Sequence, residues 1–322
     1  MATRNEAIKA ITKSINNAMD DCPTLAKVGR VLTLQYLEDK LDPCYNRDEI
    51  ITSIQKIMLR KNKANALLTG AAGCGKTAIA EGTAAAYAER FIASMQRYLD
   101  AKKTYDKAYK EWNKSDDFVH PPIAPQEEDF FGVNDKTIVI EVTFSALVGG
   151  TKYRGDLEER IEELLNECRR HPGFVLFIDE AHQIANSGKC EGGEGVSQLM
   201  KPALARGDIR VIGATTTEEA KYIWEDKALA RRFNEVKVPQ LATYAAIKTA
   251  ENIMTDYCKF HKVHSQMSAE DLLYLVFNAL PHTVFPDNFI NVVDETLAGC
   301  RFDGVQNATP DLFLATLARM SA

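Results

Sequence analysis

The stretch that decides the fold runs from Ala66 to Ala80 and reads ALLTGAAGCGKTAIA. A short apolar run, a glycine-rich turn and an alanine-rich segment follow one another, which predicts a strand, a loop and a helix. The turn fits G-x-x-x-x-G-K-[ST], the pattern of a phosphate-binding loop, in which glycines let backbone N–H groups point at phosphate oxygens. The residues predicted to surround the phosphates are Gly70, Ala71, Ala72, Gly73, Cys74, Gly75, Lys76, Thr77 and Ala78. Lys76 is expected to reach the β- and γ-phosphates, and Thr77 to ligate Mg²⁺.

A second run supplies the acidic groups that phosphoryl transfer to water requires. Phe174 to Ile178 is continuously apolar and ends in Asp179 and Glu180. Such a run alone most often marks a strand that meets a solvated loop. Downstream of a phosphate-binding loop, it predicts that Asp179 holds Mg²⁺ and that Glu180 orients and polarises the attacking water.

Two further segments fit the same site. Thr216, or Thr215 if the register differs by one, ends an apolar strand and would place a hydroxyl beside the phosphates, although a plain strand-end turn is the alternative. Arg231 and Arg232 follow a short helix, where an isolated arginine pair would usually be a solvated face. Their planar donors also suit an arginine finger that stabilises transition-state charge.

The order of apolar patterns predicts three segments. Strand and helix patterns alternate over 41–240, which favours a parallel sheet covered by helices on both faces. Residues 241–322 show helical periodicity only and predict a small all-helical domain. Residues 1–40 are predicted to be a helical leader that is too short to hold a core of its own.

Charge and cysteine content exclude several classes of function. With 39 Lys+Arg against 45 Asp+Glu, the net charge is −6, which provides no general attraction to nucleic acid or to an anionic membrane. No segment approaches the ~20 apolar residues of a membrane span. The seven cysteines are scattered without a C-x-x-C pair, so we expect reduced thiols in a cytoplasmic protein rather than disulfides or a zinc site.

Taken in order, these motifs resemble the first ATPase ring of Clp-type AAA+ unfoldases and disaggregases. The matching segments are LDP at 41–43, NRDE at 46–49, the phosphate loop with TAIAEG at 77–82, KYRG at 152–155, FIDEAH at 177–182, MKPALARG at 200–207, GATT at 213–216, ARRF at 230–233 and FPD at 285–287. The resemblance implies a five-stranded parallel sheet, a helical lid, ATP with Mg²⁺ bound between them, and a homo-hexameric ring. It also implies that Arg231 and Arg232 act in a neighbouring subunit's site, and that Tyr45 belongs to the adenine pocket.

The resemblance gives Tyr153 a task. Lys152, Tyr153 and Arg154 lie in a glycine-flanked loop with a single aromatic ring, and an exposed tyrosine on a loop is commonly mere surface. The matching tyrosine of the family points into the channel of the ring and grips polypeptide. A flat ring suits that task because it contacts any backbone without demanding a particular side chain. A protein substrate is therefore expected.

The chain also departs from the family pattern. Residues 99–136 read as an insertion whose first part is charged and helical, and Tyr98, Tyr105 and Trp112 recur at every seventh position along this helix. This stripe either packs on its own domain or docks an adaptor. Thr283 stands where the family usually has an arginine, which predicts weaker sensing of nucleotide by the lid. No recruiting N-terminal domain or peptidase-docking loop is recognised, which argues against a dedicated protease partner.

Two other classes of function stay open at this point. A nucleic-acid-associated AAA+ loader or regulator would need a basic channel, which the acidic balance disfavours. An ATP-dependent assembly switch with little turnover would not need Glu180 or Arg232, both of which are present. The sequence therefore favours a protein-remodelling ATPase over these two.

Overall fold

The computed structural model describes residues 2–114, 120–149, 154–186 and 194–321. Two predicted site residues, Lys152 and Tyr153, lie outside these ranges. Arg154 is the first residue of a helix, and its side chain is outside the description. The insertion is described except for residues 115–119.

A six-stranded sheet forms the centre of the described chain, in the order β1-β3-β4-β5-β2-β6. Its strands are β1 (Gly29–Val31), β2 (Asn65–Thr69), β3 (Ile138–Val142), β4 (Phe174–Ile178), β5 (Arg210–Thr215) and β6 (Phe233–Lys237). Strands β2 to β6 run parallel to one another. The five parallel strands and the α/β class are therefore confirmed, and β1 adds a sixth strand at one edge that was not predicted.

The sixth strand comes from the leader and pairs antiparallel with β3, with Gly29 opposite Val142. A Cβ atom at Gly29 would lie 2.7 Å from the Leu25 carbonyl oxygen, so only glycine allows this close approach. Three residues are too few to show the alternation that identifies a strand, which is why the helical pattern around β1 concealed it.

Helices cover both faces of the sheet. They are α1 (Arg4–Asp20), α2 (Pro23–Val28), α3 (Leu32–Leu37), α4 (Asp48–Met58), α5 (Lys76–Trp112), α6 (Phe144–Val148), α7 (Arg154–Arg170), α8 (His182–Asn186), α9 (Glu194–Arg206), α10 (Ala220–Glu225) and α11 (Lys227–Ala230). Along β4, Leu176 joins one buried apolar cluster, while Val175 and Phe177 join the other. Successive strand residues point to opposite faces, so each face has its own core.

The leader packs into the first of these cores. Ile11, Ile15 and Leu25 are fully buried in the same cluster as the sheet residues Ile140 and Leu176. The buried Glu167 carboxylate of α7 accepts hydrogen bonds from the Thr24 and Leu25 backbone N–H groups, at 2.9 and 2.8 Å. It thereby satisfies donors at the N-terminus of α2, which would otherwise be unpaired.

The first part of the predicted insertion continues α5, which is 37 residues long. The Tyr98 ring packs against its own chain, with its centroid 5.9 Å from that of Phe130. Farther along, Tyr109 lies between Tyr105 and Trp112, at 5.7 and 5.6 Å. At Tyr98 the aromatic stripe thus packs on its own domain, while docking of an adaptor at the outer part stays a prediction.

The C-terminal segment folds around a third buried cluster that includes Phe289 and Phe313. It contains α12 (Thr243–His261), β7 (His264–Ser265), α13 (Ala269–Ala279), α14 (Asp287–Phe302), β8 (Asn307–Ala308) and α15 (Pro310–Ser321). The prediction of an all-helical lid was wrong in one detail, because β7 and β8 pair in parallel. Strands of two residues leave no periodic signal. Within the described ranges, no helix has the length and apolar character needed to cross a bilayer.

Candidate functional site

The predicted phosphate loop connects β2 to α5. Gly73 and Gly75 have φ angles of 77° and 89°, a left-handed conformation that glycine adopts without strain. Gly75 is the residue just before α5, so the loop ends at the positive end of this helix. A Cβ atom at Gly70 would lie 2.7 Å from the carbonyl oxygen of Val238. These three glycines are therefore required by conformation or by space.

The side chain of Lys76 folds back over this loop. Its Nζ donates to the carbonyl oxygens of Gly70 and Ala71, at 3.0 and 2.9 Å. The ammonium group therefore lies against the first residues of the phosphate loop. It would compensate the negative charge of a phosphate placed there.

Two oxygen groups meet at the carboxyl ends of β2 and β4. The Thr77 hydroxyl donates to the Asp179 carboxylate at 3.0 Å. The other oxygen of Asp179 accepts from the Glu180 backbone N–H at 2.9 Å. Parallel strands bring their carboxyl ends to one edge of the sheet, so residues far apart in the sequence come together here. Hydroxyl and carboxylate oxygens are the ligands that Mg²⁺ prefers.

Glu180 follows Asp179 with a φ angle of 52°, which is uncommon for a residue other than glycine. The backbone N–H of the next residue, Ala181, donates to the carbonyl oxygen of Ala214 at 2.8 Å and thus fixes this turn against β5. The Glu180 carboxylate accepts a hydrogen bond from the Gln183 side-chain amide. Strained backbone of this kind is typical of functional sites.

Both threonines at the end of β5 lie at this site. The Thr215 hydroxyl lies 3.0 Å from Nδ1 of His182. The Thr216 hydroxyl donates to Glu219 at 2.7 Å, and this hydrogen bond is the largest factor that lowers the pKa of the Glu219 carboxyl group. His182 and Glu219 were not predicted as site residues, because His182 had no assigned task within the FIDEAH segment and Glu219 lies outside the matching segments. The register alternative between Thr215 and Thr216 stays open.

These groups line a cavity of about 420 Å³, which we call the loop cavity. Its lining includes Ala72, Gly73, Gly75, Lys76, Thr77, Ala78, Asp179, Glu180, Thr215, Thr216 and Glu219. A second cavity of about 190 Å³, the lid cavity, is lined by residues of the 42–47 segment and of the lid. Gly75, Ala78, Pro286 and Ile290 line both cavities. The two cavities are therefore parts of one continuous cleft between the sheet domain and the lid.

Tyr45 lines the lid cavity, where the adenine pocket is predicted. Its hydroxyl donates to the Asp256 carboxylate of α12. Burial, followed by this hydrogen bond, raises the pKa of Tyr45 above its ordinary value, so the hydroxyl keeps its proton. Asp256 and the neighbouring Arg47 also line this cavity and were not predicted. No sequence pattern connects the 42–47 segment to a residue on α12.

Two predicted site residues do not line this cleft. Arg231 and Arg232 follow α11 and precede β6, and neither lines the loop or the lid cavity. Arg231 is exposed and Arg232 is half-buried. Tyr153 lies outside the described residues.

A model of the ATPase family associated with various cellular activities (AAA) matches residues 66–240. The chaperone protein ClpC2 of Arabidopsis thaliana chloroplasts is 34% identical over 94% of this chain and 28% of its own length. The chaperone protein ClpB of Helicobacter hepaticus is 33% identical over 87% of this chain, again 28% of its own length. The resemblance to Clp-type ATPases is thereby confirmed.

Among solved structures, the Saccharomyces cerevisiae Hsp104:casein complex in its extended conformation matches 93% of this chain with a TM-score of 0.71 and 29% identity. The match covers 45% of the Hsp104 chain. This chain thus spans less than half the length of these relatives, and it shares their sequence and fold over one ATPase module.

Proposed function

We propose that this chain, which belongs to the family of ATPases associated with various cellular activities, hydrolyses ATP at the subunit junctions of a homo-hexameric ring and thereby remodels polypeptides. Membership of the family makes the chain a nucleotide-binding ATPase of Clp type. The ring, the junctional site and the polypeptide substrate are the parts that we propose.

Each group of the loop cavity has a task in this reaction. Lys76 would hold the β- and γ-phosphates, and Thr216, or Thr215 in the other register, would contact the γ-phosphate. Glu180 would accept a hydrogen bond from the attacking water and orient it. Thr77 and Asp179 have hydrogen-bonded oxygens of the type that Mg²⁺ prefers, so the pair fits this ion. When bound, Mg²⁺ would neutralise charge on the phosphate oxygens.

The observation that carries the junctional site is the position of the arginines. The described lining of the loop cavity contains one cationic side chain, Lys76, and no arginine. Phosphoryl transfer in this class gains about 10³–10⁵-fold from a guanidinium at the transition state. Arg231 and Arg232 lie at the surface of the same domain and outside its own cleft, which supports a task in the site of a neighbouring subunit.

Mixing two inactive variants tests this proposal. Lys76→Ala subunits keep their arginines but lose their nucleotide site, and Arg232→Ala subunits keep the site but lose an arginine. We expect each variant alone to hydrolyse ATP slowly and the mixture to recover activity, because some junctions then combine an intact site with an intact Arg232. Steady-state ATPase activity across mixing ratios is the measurement. The same series with Arg231→Ala determines which arginine acts.

Arg206→Ala is a matched control for loss of a surface arginine. Arg206 donates to Asp208, which also accepts from Arg169, so its removal leaves Asp208 paired. We expect Arg206→Ala to retain activity on its own. Mixtures that recover no activity, or a wild-type protein that stays monomeric with ATP and Mg²⁺, would contradict the proposal.

Threading of polypeptide rests on the loop of Lys152, Tyr153 and Arg154. The names of the relatives support a protein substrate, since they are chaperones and one neighbouring structure is a complex with casein. We expect Tyr153→Ala to hydrolyse ATP but to lose unfolding of a fluorescent protein substrate, whereas Tyr153→Phe keeps the flat ring and the unfolding activity. An equal loss of both activities in Tyr153→Ala would count against threading.

The cellular compartment is part of the proposal. We place the protein in the cytoplasm because its seven cysteines form no C-x-x-C pair in the sequence. The described cysteines, which leave out Cys190, are free thiols. One relative is named as chloroplastic, so the family itself does not decide the compartment.

A further inference from the structure

Tyr45 connects the sheet domain to the lid. Although it precedes α4 of the sheet domain, its ring packs against the apolar core of the lid. Its hydroxyl donates to the Asp256 carboxylate on α12. One side chain thus supplies both an apolar contact and a charge-assisted hydrogen bond across the lid cavity.

Asn46 makes a second connection to the same helix. Its side-chain amide donates to the buried hydroxyl of Thr249 at 2.8 Å. The backbone at Asn46 has a φ angle of 55°, a left-handed conformation that asparagine tolerates better than most residues. Because the chain turns sharply here, the side chains of Tyr45 and Asn46 reach different residues of α12.

Arg47 makes the third connection, towards the phosphate loop. It is 6% exposed, and its guanidinium donates to the carbonyl oxygens of Pro239 and Cys74, at 2.8 and 3.1 Å. Pro239 lies in the link between β6 and α12, and Cys74 lies in the phosphate loop. Within the described ranges, Arg47 has no carboxylate in salt-bridge distance, and burial lowers its pKa. The buried guanidinium of Arg47 therefore connects the phosphate loop to the link between β6 and α12.

We propose that Tyr45, Asn46 and Arg47 form a clasp that positions the lid against the nucleotide base and couples this position to the phosphate loop. The inference rests on the proposed nucleotide site, and it assigns three positioning residues to it. A nucleotide base that binds between two domains binds more tightly when both domains are already held in place, because the protein then loses less conformational freedom on binding. Tyr45 and Asn46 fix the position of α12 in the lid, whereas Arg47 contacts both the link to the lid and the phosphate loop.

Two ligands separate these tasks. ADP would occupy both cavities of the cleft, whereas inorganic tripolyphosphate has no base and would need the loop cavity alone. We expect Tyr45→Phe and Asn46→Gly each to bind ADP about tenfold more weakly, as the loss of one hydrogen bond to the lid allows, and to bind tripolyphosphate as the wild type does. Titration calorimetry in the presence of Mg²⁺ measures both affinities.

Both substitutions are conservative for the fold. Phenylalanine keeps the ring in the lid core, and glycine accepts the left-handed backbone at Asn46 without strain. Tyr244→Phe is the matched control, because it removes an exposed hydroxyl from the same helix, α12, and should bind both ligands normally. In Arg47→Met, we expect both ligands to bind more weakly, since the Cys74 carbonyl group of the loop loses its partner.

The outcomes distinguish the clasp from the function on which it rests. A wild-type protein that binds neither ligand would overturn the nucleotide site itself. If the wild type binds both and Lys76→Ala binds neither, the site stands. The clasp is then wrong if Tyr45→Phe and Asn46→Gly leave ADP binding unchanged, or if they weaken both ligands by the same factor.

Discussion

In the loop cavity, the reacting groups come from the ends of β2, β4 and β5 of one sheet, whereas the walls of the lid cavity come from two domains. Backbone hydrogen bonds between parallel strands fix Thr215 and the last residue of β4, which Asp179 follows, and the loop that leads to Thr77 starts at the end of β2. Side-chain hydrogen bonds from Tyr45 and Asn46 hold the lid cavity together. The sheet therefore fixes the geometry of the loop cavity, whereas the geometry of the lid cavity depends on side-chain contacts between two domains.

The largest effect that tests this difference is expected at Glu180. Glu180→Gln keeps the shape of the side chain but removes the carboxylate that orients water, so we expect ATP turnover to fall by about 10²–10⁴-fold. Affinity for ADP should stay near the wild-type value, because glutamine has the shape of Glu180 and no other residue of either cavity changes. Turnover and ADP titration measure the two quantities on the same preparation.

Gln183→Ala is a control for Glu180→Gln, because it removes the hydrogen-bond partner of Glu180 and leaves the carboxylate in place. It should reduce turnover far less. A variant Glu180→Gln that hydrolyses ATP at the wild-type rate would show that another group orients the water.

A smaller effect is expected at two glycines of the loop cavity. Gly75 and Gly73 both have left-handed backbone, and alanine in this conformation costs about 1–2 kcal/mol. A Cβ atom at Gly75 would come no closer than 4.0 Å to Pro286, whereas at Gly73 it would lie 2.8 Å from Cβ of Asp287 in the lid. We expect Gly73→Ala to weaken ADP binding more than Gly75→Ala.

Calorimetric titration with ADP and tripolyphosphate measures this difference. The excess loss in Gly73→Ala should be larger for ADP, because the clash lies between the loop and the lid. Equal losses for the two glycines would mean that the lid moves away from the loop without weakening the binding of the base.

The loop cavity could be predicted from its own motifs, whereas at the lid cavity the resemblance predicted Tyr45 but not its partners, for a physical reason. The phosphate loop is contiguous, and its glycines are required by local backbone conformation, so Gly70 to Thr77 carry the information themselves. Asp179 follows an apolar strand, and the topology of parallel strands brings it to the same edge. Asp256, in contrast, is one acidic residue on an amphipathic helix, and its pairing with Tyr45 depends on how the lid docks.

Short elements were missed for a related reason. The edge strand β1 has three residues, and β7 and β8 have two each, which is fewer than the roughly four residues over which alternation identifies a strand. They exist because neighbouring strands or loops offer backbone partners. Arg47 shows the same limit, since the NRDE segment that contains it matched the family pattern but gave no sign of its two carbonyl partners.

The smallest effect concerns Thr216, whose hydroxyl lowers the pKa of the Glu219 carboxyl group. A carboxyl group with a lowered folded pKa stabilises the fold above its unfolded value near 4.5 and loses this contribution as the pH falls through the folded value. In Thr216→Val, the pKa of Glu219 should move back towards the ordinary value. We therefore expect the variant to lose less stability than the wild type between pH 6 and about pH 4, which is just below the ordinary value of the carboxyl group.

Urea unfolding at the two pH values measures this change, which should be small because Glu219 is 39% exposed and water screens it. Thr255→Val is the control, since the Thr255 hydroxyl on α12 donates to the backbone carbonyl of Glu251 and not to a carboxylate. It should lose stability equally at both pH values. If Thr216→Val does the same, the Thr216 hydroxyl has no influence on Glu219, and the end of β5 is held by the strand alone.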